Sequence, residues 1–290
     1  MAKEERLIES KVGPGLCKLN VRVAWDRLFG KPSTSELVAC RFLKLMEEHG
    51  IKPLQLLRLL PAEFGLTAAD LQDEDSILGM LDDRVLTWLA NTFSVKREWL
   101  EGEGEQIHRQ PRDYKRLGPW LVEIGEKGIL DNSLQLFLLH QKGQIPTNER
   151  GRRQPLILVL AHPFPEFDAH TVRRFVVSGE GWDYGYLPSR LHLKALARLF
   201  FLHMSQSTCL VPVKFQTLEA VQDGLLTPSF LPWGSGNCEL FEARSLSSSE
   251  SRLSMEEEEL PAVLDFIRNQ NLEEAFREAQ RLNAETNGER

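Results

Sequence analysis

The spacing of the apolar residues changes at a polar, proline-broken stretch, residues 105–115. Before this stretch, over residues 34–104, apolar side chains recur at helical spacing. After it, short, mainly apolar runs at residues 134–140 and 155–160 are typical of buried strands. The sequence therefore predicts an α+β multidomain protein. An all-α domain is followed by a linker and then by a mixed α+β domain over residues 116–243, expected to sense a ligand, dimerise or dock a partner.

Three further segments flank these two domains. Residues 1–33 contain seven basic residues and a short alternating run, which predicts a basic arm or strand. Residues 244–259 are rich in serine and glutamate, a composition typical of a flexible linker. Residues 260–284 return to a helical period and predict a C-terminal amphipathic helix, whose apolar stripe must pack against the body or a partner.

The most informative run in the helical part is residues 82–102. One apolar face is interrupted at Ser94 and Val95, and the chain returns to the core at a tryptophan–leucine pair; the residues that carry the pattern are Leu86, Leu89, Ala90, Phe93, Trp99 and Leu100. This pattern resembles the closing two helices of the Cro/C1-type, lambda-repressor-like helix-turn-helix domain. The resemblance covers about 65 residues and implies a helical DNA-binding domain.

The resemblance also assigns roles further upstream. Residues 41–49 would form the first helix, Gly65 would supply the turn backbone, and Thr67 would cap the recognition helix. Base edges are read by polar side chains and phosphates by basic ones. The implied DNA contacts are accordingly Thr67, Gln72, Lys52, Gln55, Arg109 and Arg112.

Charge favours a second interpretation. The chain has a formal net charge of −7, and within residues 36–103 the acidic residues outnumber the basic ones about two to one. Carboxylates at the recognition helix would face a polyanion. The preferred hypothesis is a DNA-binding transcriptional regulator, which could be a homodimer. The alternative is a protein-interaction or accessory factor whose helix-turn-helix-like domain does not bind DNA.

Evidence for enzyme chemistry is weaker. His162, Asp168 and His170 follow an apolar strand and could bind a divalent metal, but no established metal-ligand spacing is present, so a structural loop is the preferred interpretation. Neither a catalytic residue nor a metal ligand nor a cofactor is assigned, and the protein is not expected to be an enzyme. The four cysteines lie far apart and are expected to be free thiols.

Two further expectations concern the cellular location of the protein and the role of its aromatic residues. No run is long and apolar enough for a membrane helix and no secretory signal is visible, so a cytoplasmic protein without membrane contact is expected. Trp182, Tyr184 and Tyr186 follow a glycine-rich turn, where they could line a ligand pocket or a protein interface, or pack in the core.

Overall fold

A computed structural model describes residues 34–108, 114–144, 153–167, 172–178, 182–205, 208–232, 239–241 and 259–288. The predicted basic arm, residues 1–33, lies outside these ranges. The predicted site residues Arg109, Arg112, Asp168 and His170 and most of the serine- and glutamate-rich linker lie outside them as well.

The first part of the chain is a helical module over residues 34–108. Its helices are α1 (Thr34–Glu48), α2 (Pro53–Leu56), α3 (Glu74–Met80), α4 (Asp83–Thr92) and α5 (Arg97–Leu100). Aspartates begin two of them: Asp73 accepts a hydrogen bond from Ser76 N, and Asp82 accepts one from Val85 N. Gly65 adopts a left-handed φ of 65°, the conformation predicted for the turn.

The second part is built on a mixed sheet. Its strands are β1 (Gln135–Gln141), β2 (Leu156–Pro163), β3 (Arg173–Ser178), β4 (Thr208–Val213) and the three-residue β5 (Glu239–Phe241), in the order β3-β2-β1-β4-β5. Strand β1 is antiparallel to β2 and parallel to β4, while β2–β3 and β4–β5 are antiparallel pairs. The expected mixed α+β fold is confirmed.

Helices cover both faces of this sheet, because alternate residues of each strand point to opposite sides. Leu136 and Leu138 face a core shared with α6 (Leu117–Glu126), α7 (Leu187–Met204) and the C-terminal helices. Phe137 and Leu139 face the other way, toward α8 (Phe215–Gln222). The two central apolar strands are therefore buried on both sides, which explains their mainly hydrophobic sequences.

The C-terminal segment differs from the single helix that was expected. It forms α9 (Leu260–Asn269) and α10 (Leu272–Gly288), separated at Asn271, which has a φ of 52°. Helix α10 packs closely against α6, where a Cβ on Gly125 would stand 2.2 Å from the backbone oxygen of Ala279. The predicted apolar stripe is thus covered by the body of the protein itself.

The cysteines differ from the expectation of free thiols. Cys209 on β4 is disulfide-bonded. Cys40 on α1 is free and exposed, as expected. Cys17 and Cys238 lie outside the described residues.

Two residues that flank the strands of the sheet enter the hydrophobic core of the helical module. Phe164, which follows β2, and Val172, which precedes β3, are both buried within the cluster formed by the helical module.

The linker predicted over residues 105–115 begins too early. Ile107 and His108 are each 1% exposed, and the amide of Ile107 donates to the carbonyl of Gly224 at 2.6 Å. The two parts are therefore packed together rather than joined by a free linker over residues 105–108.

Candidate functional site

The segment expected to form the recognition helix is short in the structure. Residues Ala68–Leu71 form one 3-10 turn, which ends at Gln72. The next helix, α3, begins at Glu74 after its capping residue Asp73. The helix-turn-helix arrangement is not confirmed, because the predicted reading segment is divided between a 3-10 turn and a seven-residue helix.

The predicted base-reading side chains are partly engaged with the protein itself. The carboxylate of Asp70 accepts hydrogen bonds from both the backbone N–H and the hydroxyl of Thr67, each at 2.8 Å. Gln55 Oε1 accepts from the backbone N–H of Lys52 at 2.8 Å. Gln72 and Lys52 are exposed. The hydroxyl of Thr67 would have to leave Asp70 before it could donate to a base.

Carboxylates are concentrated in this part of the sequence, and two of them, Asp82 and Asp83, form ion pairs with Arg84 and Arg97. Between residues 70 and 83 the chain has six acidic residues and no lysine or arginine; we call this group the acidic face, and it consists of Asp70, Asp73, Glu74, Asp75, Asp82 and Asp83. Hydrogen bonds lower the pKa of three of these carboxyls, chiefly from the backbone of Thr67 to Asp70, of Ser76 to Asp73 and of Val85 to Asp82. These groups therefore stay ionised down to lower pH than ordinary carboxyls.

Two partly exposed aromatic rings adjoin the acidic face. Phe64 and Trp88 form an edge-to-face pair with ring centroids 6.3 Å apart. The guanidinium of Arg84 lies 5.6 Å from the centre of the Phe64 ring and forms an ion pair with Asp82 at 3.2 Å. Leu54 is the most exposed large apolar side chain of the described residues, at 59%. The helical module thus presents carboxylates beside accessible apolar surface.

His162, the first residue of the alternative metal or catalytic group, is buried at the end of β2. Its Nε2 lies 3.0 Å from Asp131 Oδ2, and Arg174 Nε donates to its Nδ1 at 3.3 Å. The ring is therefore neutral, with its proton on Nε2, because the guanidinium can only donate. Both ring nitrogens face protein partners, so a metal ion would have to displace one of them.

Asp131 and Ser133 complete this cluster without forming a catalytic triad. Ser133 Oγ donates to Asp131 Oδ1 and lies 3.3 Å from His162 Nε2. Burial raises the pKa of Asp131, but the hydrogen bonds from His162 and Ser133 outweigh it, so this pKa lies below its ordinary value. A serine is activated by a lone pair on the neighbouring histidine nitrogen. Here that nitrogen carries the proton, so the cluster positions the chain and does not activate Ser133.

The predicted aromatic residues divide between core and surface. Trp182 and Tyr184 are 3% and 4% exposed and belong to the main core. Tyr186 is exposed and lines a hollow of about 210 Å³ together with Trp182 and Arg153. A larger open groove of about 870 Å³ runs between α6 and α10 and is lined mainly by small apolar residues, glutamates and arginines. Core packing accounts for two of the three aromatic residues.

A cluster that sequence reasoning missed joins the C-terminal helices to α7. Glu259 accepts hydrogen bonds from Arg190 and Lys194, whose side chains are 3% and 1% exposed. Burial raises the pKa of Glu259, and the two cationic partners lower it below its ordinary value. Glu259 had been placed in the flexible acidic linker. Glu259 is the last of four consecutive glutamates, and nothing in this run indicates that its last residue is an ion-pair partner.

Comparison of the chain with models of protein families, with curated proteins and with solved structures finds no match. Among the described residues there is no group of three or more histidine, cysteine or acidic side chains that could hold a metal ion. In the same part of the chain, no helix has the length and apolar character needed to cross a bilayer.

Proposed function

We propose that this protein is an interaction factor that binds a basic protein partner through the helical module. The observation that carries the proposal is the acidic face, which lies beside the partly exposed pair Phe64 and Trp88. Interfaces draw much of their affinity from aromatic anchors, and complementary charge speeds association and sets orientation. The competing function is a DNA-binding transcriptional regulator of the helix-turn-helix type.

Charge separates the two functions. DNA binding requires cations facing phosphates, and each neutralised phosphate adds to the slope of log affinity against log salt. The segment that would enter the groove carries Asp70, Asp73, Glu74 and Asp75 instead, and Thr67 is bonded to one of them. A basic protein surface would gain from the same carboxylates.

The first test is fluorescence anisotropy of the full chain on a mixed-sequence DNA duplex across a salt series. We expect no binding even at low salt. Binding whose log affinity falls steeply with log salt would overturn the proposal in favour of DNA binding. In that case, loss of sequence preference in Gln72→Ala would assign this residue to base reading.

The second test measures binding of an amphipathic peptide made of leucine and lysine. We compare Glu74→Gln/Asp75→Asn with Glu219→Gln/Asp223→Asn, a chemically matched pair of exposed acids near the end of α8. Since exposed ion pairs contribute ~0.2–1 kcal/mol each, loss of two pairs should weaken binding of the first variant about twofold to thirtyfold. Equal affinities of both variants and the unmodified chain would contradict the acidic face as the binding surface.

A further inference from the structure

Two buried histidines lie at the junction between the helical module and the sheet. His49, at the end of α1, has its Nδ1 2.6 Å from the carbonyl oxygen of Arg173 on β3. His108, at the end of the module, has its Nε2 3.3 Å from Thr227 Oγ1. Their exposed fractions are 2% and 1%. We call them the junction histidines, because each reaches across to a residue of the sheet half.

The surroundings of His49 accept only a neutral ring. Its Nδ1–H donates to the carbonyl of Arg173, while its buried Nε2 has no hydrogen-bond partner among the described residues. The ring packs between Phe93 and Phe175, with centroids 4.7 and 5.4 Å away. A second proton on Nε2 would therefore place a buried cation against aromatic rings without an acceptor.

His108 is connected to the half-buried carboxyl of Glu48 through Thr227. The Thr227 hydroxyl donates to Glu48 Oε2, and Glu48 lies 3.6 Å from Lys44 Nζ on the same helix. The charged or titratable groups that act on the rings are Lys44 on α1 for His108, and Arg173 on β3 together with His108 for His49; Glu48 is linked to His108 through Thr227. Lys44 and Arg173 both disfavour a further positive charge.

We propose that acidification opens the junction between the helical module and the sheet, because the junction histidines fit there only as neutral rings. The opened state exposes both rings to water, where they can take up protons. Protonation of buried histidines between pH 5 and 6 is an established means of switching an interface. This inference does not depend on what the acidic face binds.

The direction of the pH effect follows from the lowered pKa values of His49 and His108. Burial lowers the pKa of His49 to about 3, against the hydrogen bond to Arg173, which raises it. Burial lowers the pKa of His108 to about 4, against the carbonyl of Ser94. A lowered histidine pKa means that the open form binds more protons, so the closed form loses stability as the pH falls below about 6.5.

Glu48 acts in the opposite direction. Burial raises its pKa, while Lys44 and Thr227 lower it by less. Acid therefore favours the closed form through this one carboxyl as the pH falls toward its ordinary pKa. The two histidines together outweigh it above pH 5, where an exposed carboxyl is still largely ionised. From their shifts the opening constant should rise about 20-fold per histidine between pH 7 and pH 5, and about 500-fold for both.

Hydrogen exchange of the full chain, measured amide by amide by NMR at pH 7 and pH 5 and corrected for intrinsic exchange, tests this proposal. The amides to follow are Ile107, which donates to the carbonyl of Gly224, and Arg173, which donates to the carbonyl of His49. The reference is Leu138, in the middle of β1. We expect the opening constant at the junction amides to rise about 500-fold and to exceed that of Leu138 at both pH values, because the junction opens without unfolding of the sheet.

Variants separate this proposal from general acid instability. In His49→Phe the rise should fall to about 20-fold, and in His108→Gln, which serves if the first variant does not fold, to a similar value. His192→Gln, a half-buried histidine on α7, should keep the full rise. Equal opening constants at Leu138 and at the junction, or an unchanged rise in both junction variants, would overturn the proposal.

Discussion

Phe164 offers the sharpest test of whether the helical module and the sheet form one cooperative body. It follows β2 in the chain, yet its side chain is 3% exposed and lies in the helical core, with its ring centroid 5.5 Å from that of Phe93. The Arg174 guanidinium lies 5.4 Å from the ring centre on the side of the sheet. Phe164→Ala should therefore weaken both halves of the molecule.

The expected loss can be worked from this burial. Replacing a fully buried phenylalanine with alanine costs ~3–5 kcal/mol, since both the transfer free energy and the cavity count. That is a large part of the ~5–15 kcal/mol that holds a typical protein folded. Phe215→Ala is the matched control, because Phe215 on α8 is 46% exposed and should cost less than about 1 kcal/mol.

Urea unfolding followed by tryptophan fluorescence and by far-ultraviolet circular dichroism measures this difference. Trp99 lies in the helical module and Trp182 in the sheet core, so fluorescence reports on both. With a urea dependence of ~3 kcal/mol/M, the single midpoint should fall by about 1–2 M in Phe164→Ala. Two separate transitions, of which only one shifts, would refute the single cooperative body.

Three other predictions test the C-terminal helices and the His162 cluster. Gly125→Ala should lower the melting temperature strongly, since its Cβ would meet the backbone of Ala279. Gly79→Ala, in a helix with open space, should stabilise the protein by ~0.5–1 kcal/mol, and similar losses in both would contradict the close helix contact. Glu259→Gln should lower the free energy of unfolding by ~3–5 kcal/mol at neutral pH, because two buried cations lose their counter-ion. Since the pKa of Glu259 is lowered, this loss of stability should shrink as the pH falls below about 4.5. A loss that stays constant with pH in chemical unfolding would contradict the role of the ion pairs. Added zinc should not raise the melting temperature, and a clear rise would reopen the metal site at His162.

Sequence patterns correctly predicted those elements whose formation depends on residues close together in the chain. The runs at residues 134–140 and 155–160 are buried on both faces, and such strands need no polar alternation. Gly65 was correctly expected at a position that requires a left-handed backbone. The division of the C-terminal segment at Asn271 had a local signal as well, since three polar residues precede Leu272 and asparagine tolerates a positive φ.

Contacts between distant parts of the chain could not be predicted in the same way. Ile107 is one apolar residue in a polar stretch, yet its side chain is buried in the helical core and its amide donates to the carbonyl of Gly224, 117 residues further on. Glu259 pairs with Arg190 across 69 residues, and neither flanking sequence indicates the other. The recognition helix was predicted wrongly for a different reason. The next α-helix is capped by Asp73 rather than by Thr67, whose hydroxyl donates to the carboxylate of Asp70.

The entry of Phe164 into the helical core changes how regulation in this molecule has to be understood. A second domain that adjusts the spacing of a DNA-binding module needs freedom to move relative to it, and residues 105–115 were expected to form the linker between the two. Ile107 and His108 instead bind the sheet half, and Phe164 fills the helical core. A ligand or partner can shift a two-state equilibrium only by its differential affinity for the two states. Any signal between the sheet and the acidic face must therefore overcome the packing around Phe164, and protonation of the junction histidines is the change in the described structure that weakens this same interface.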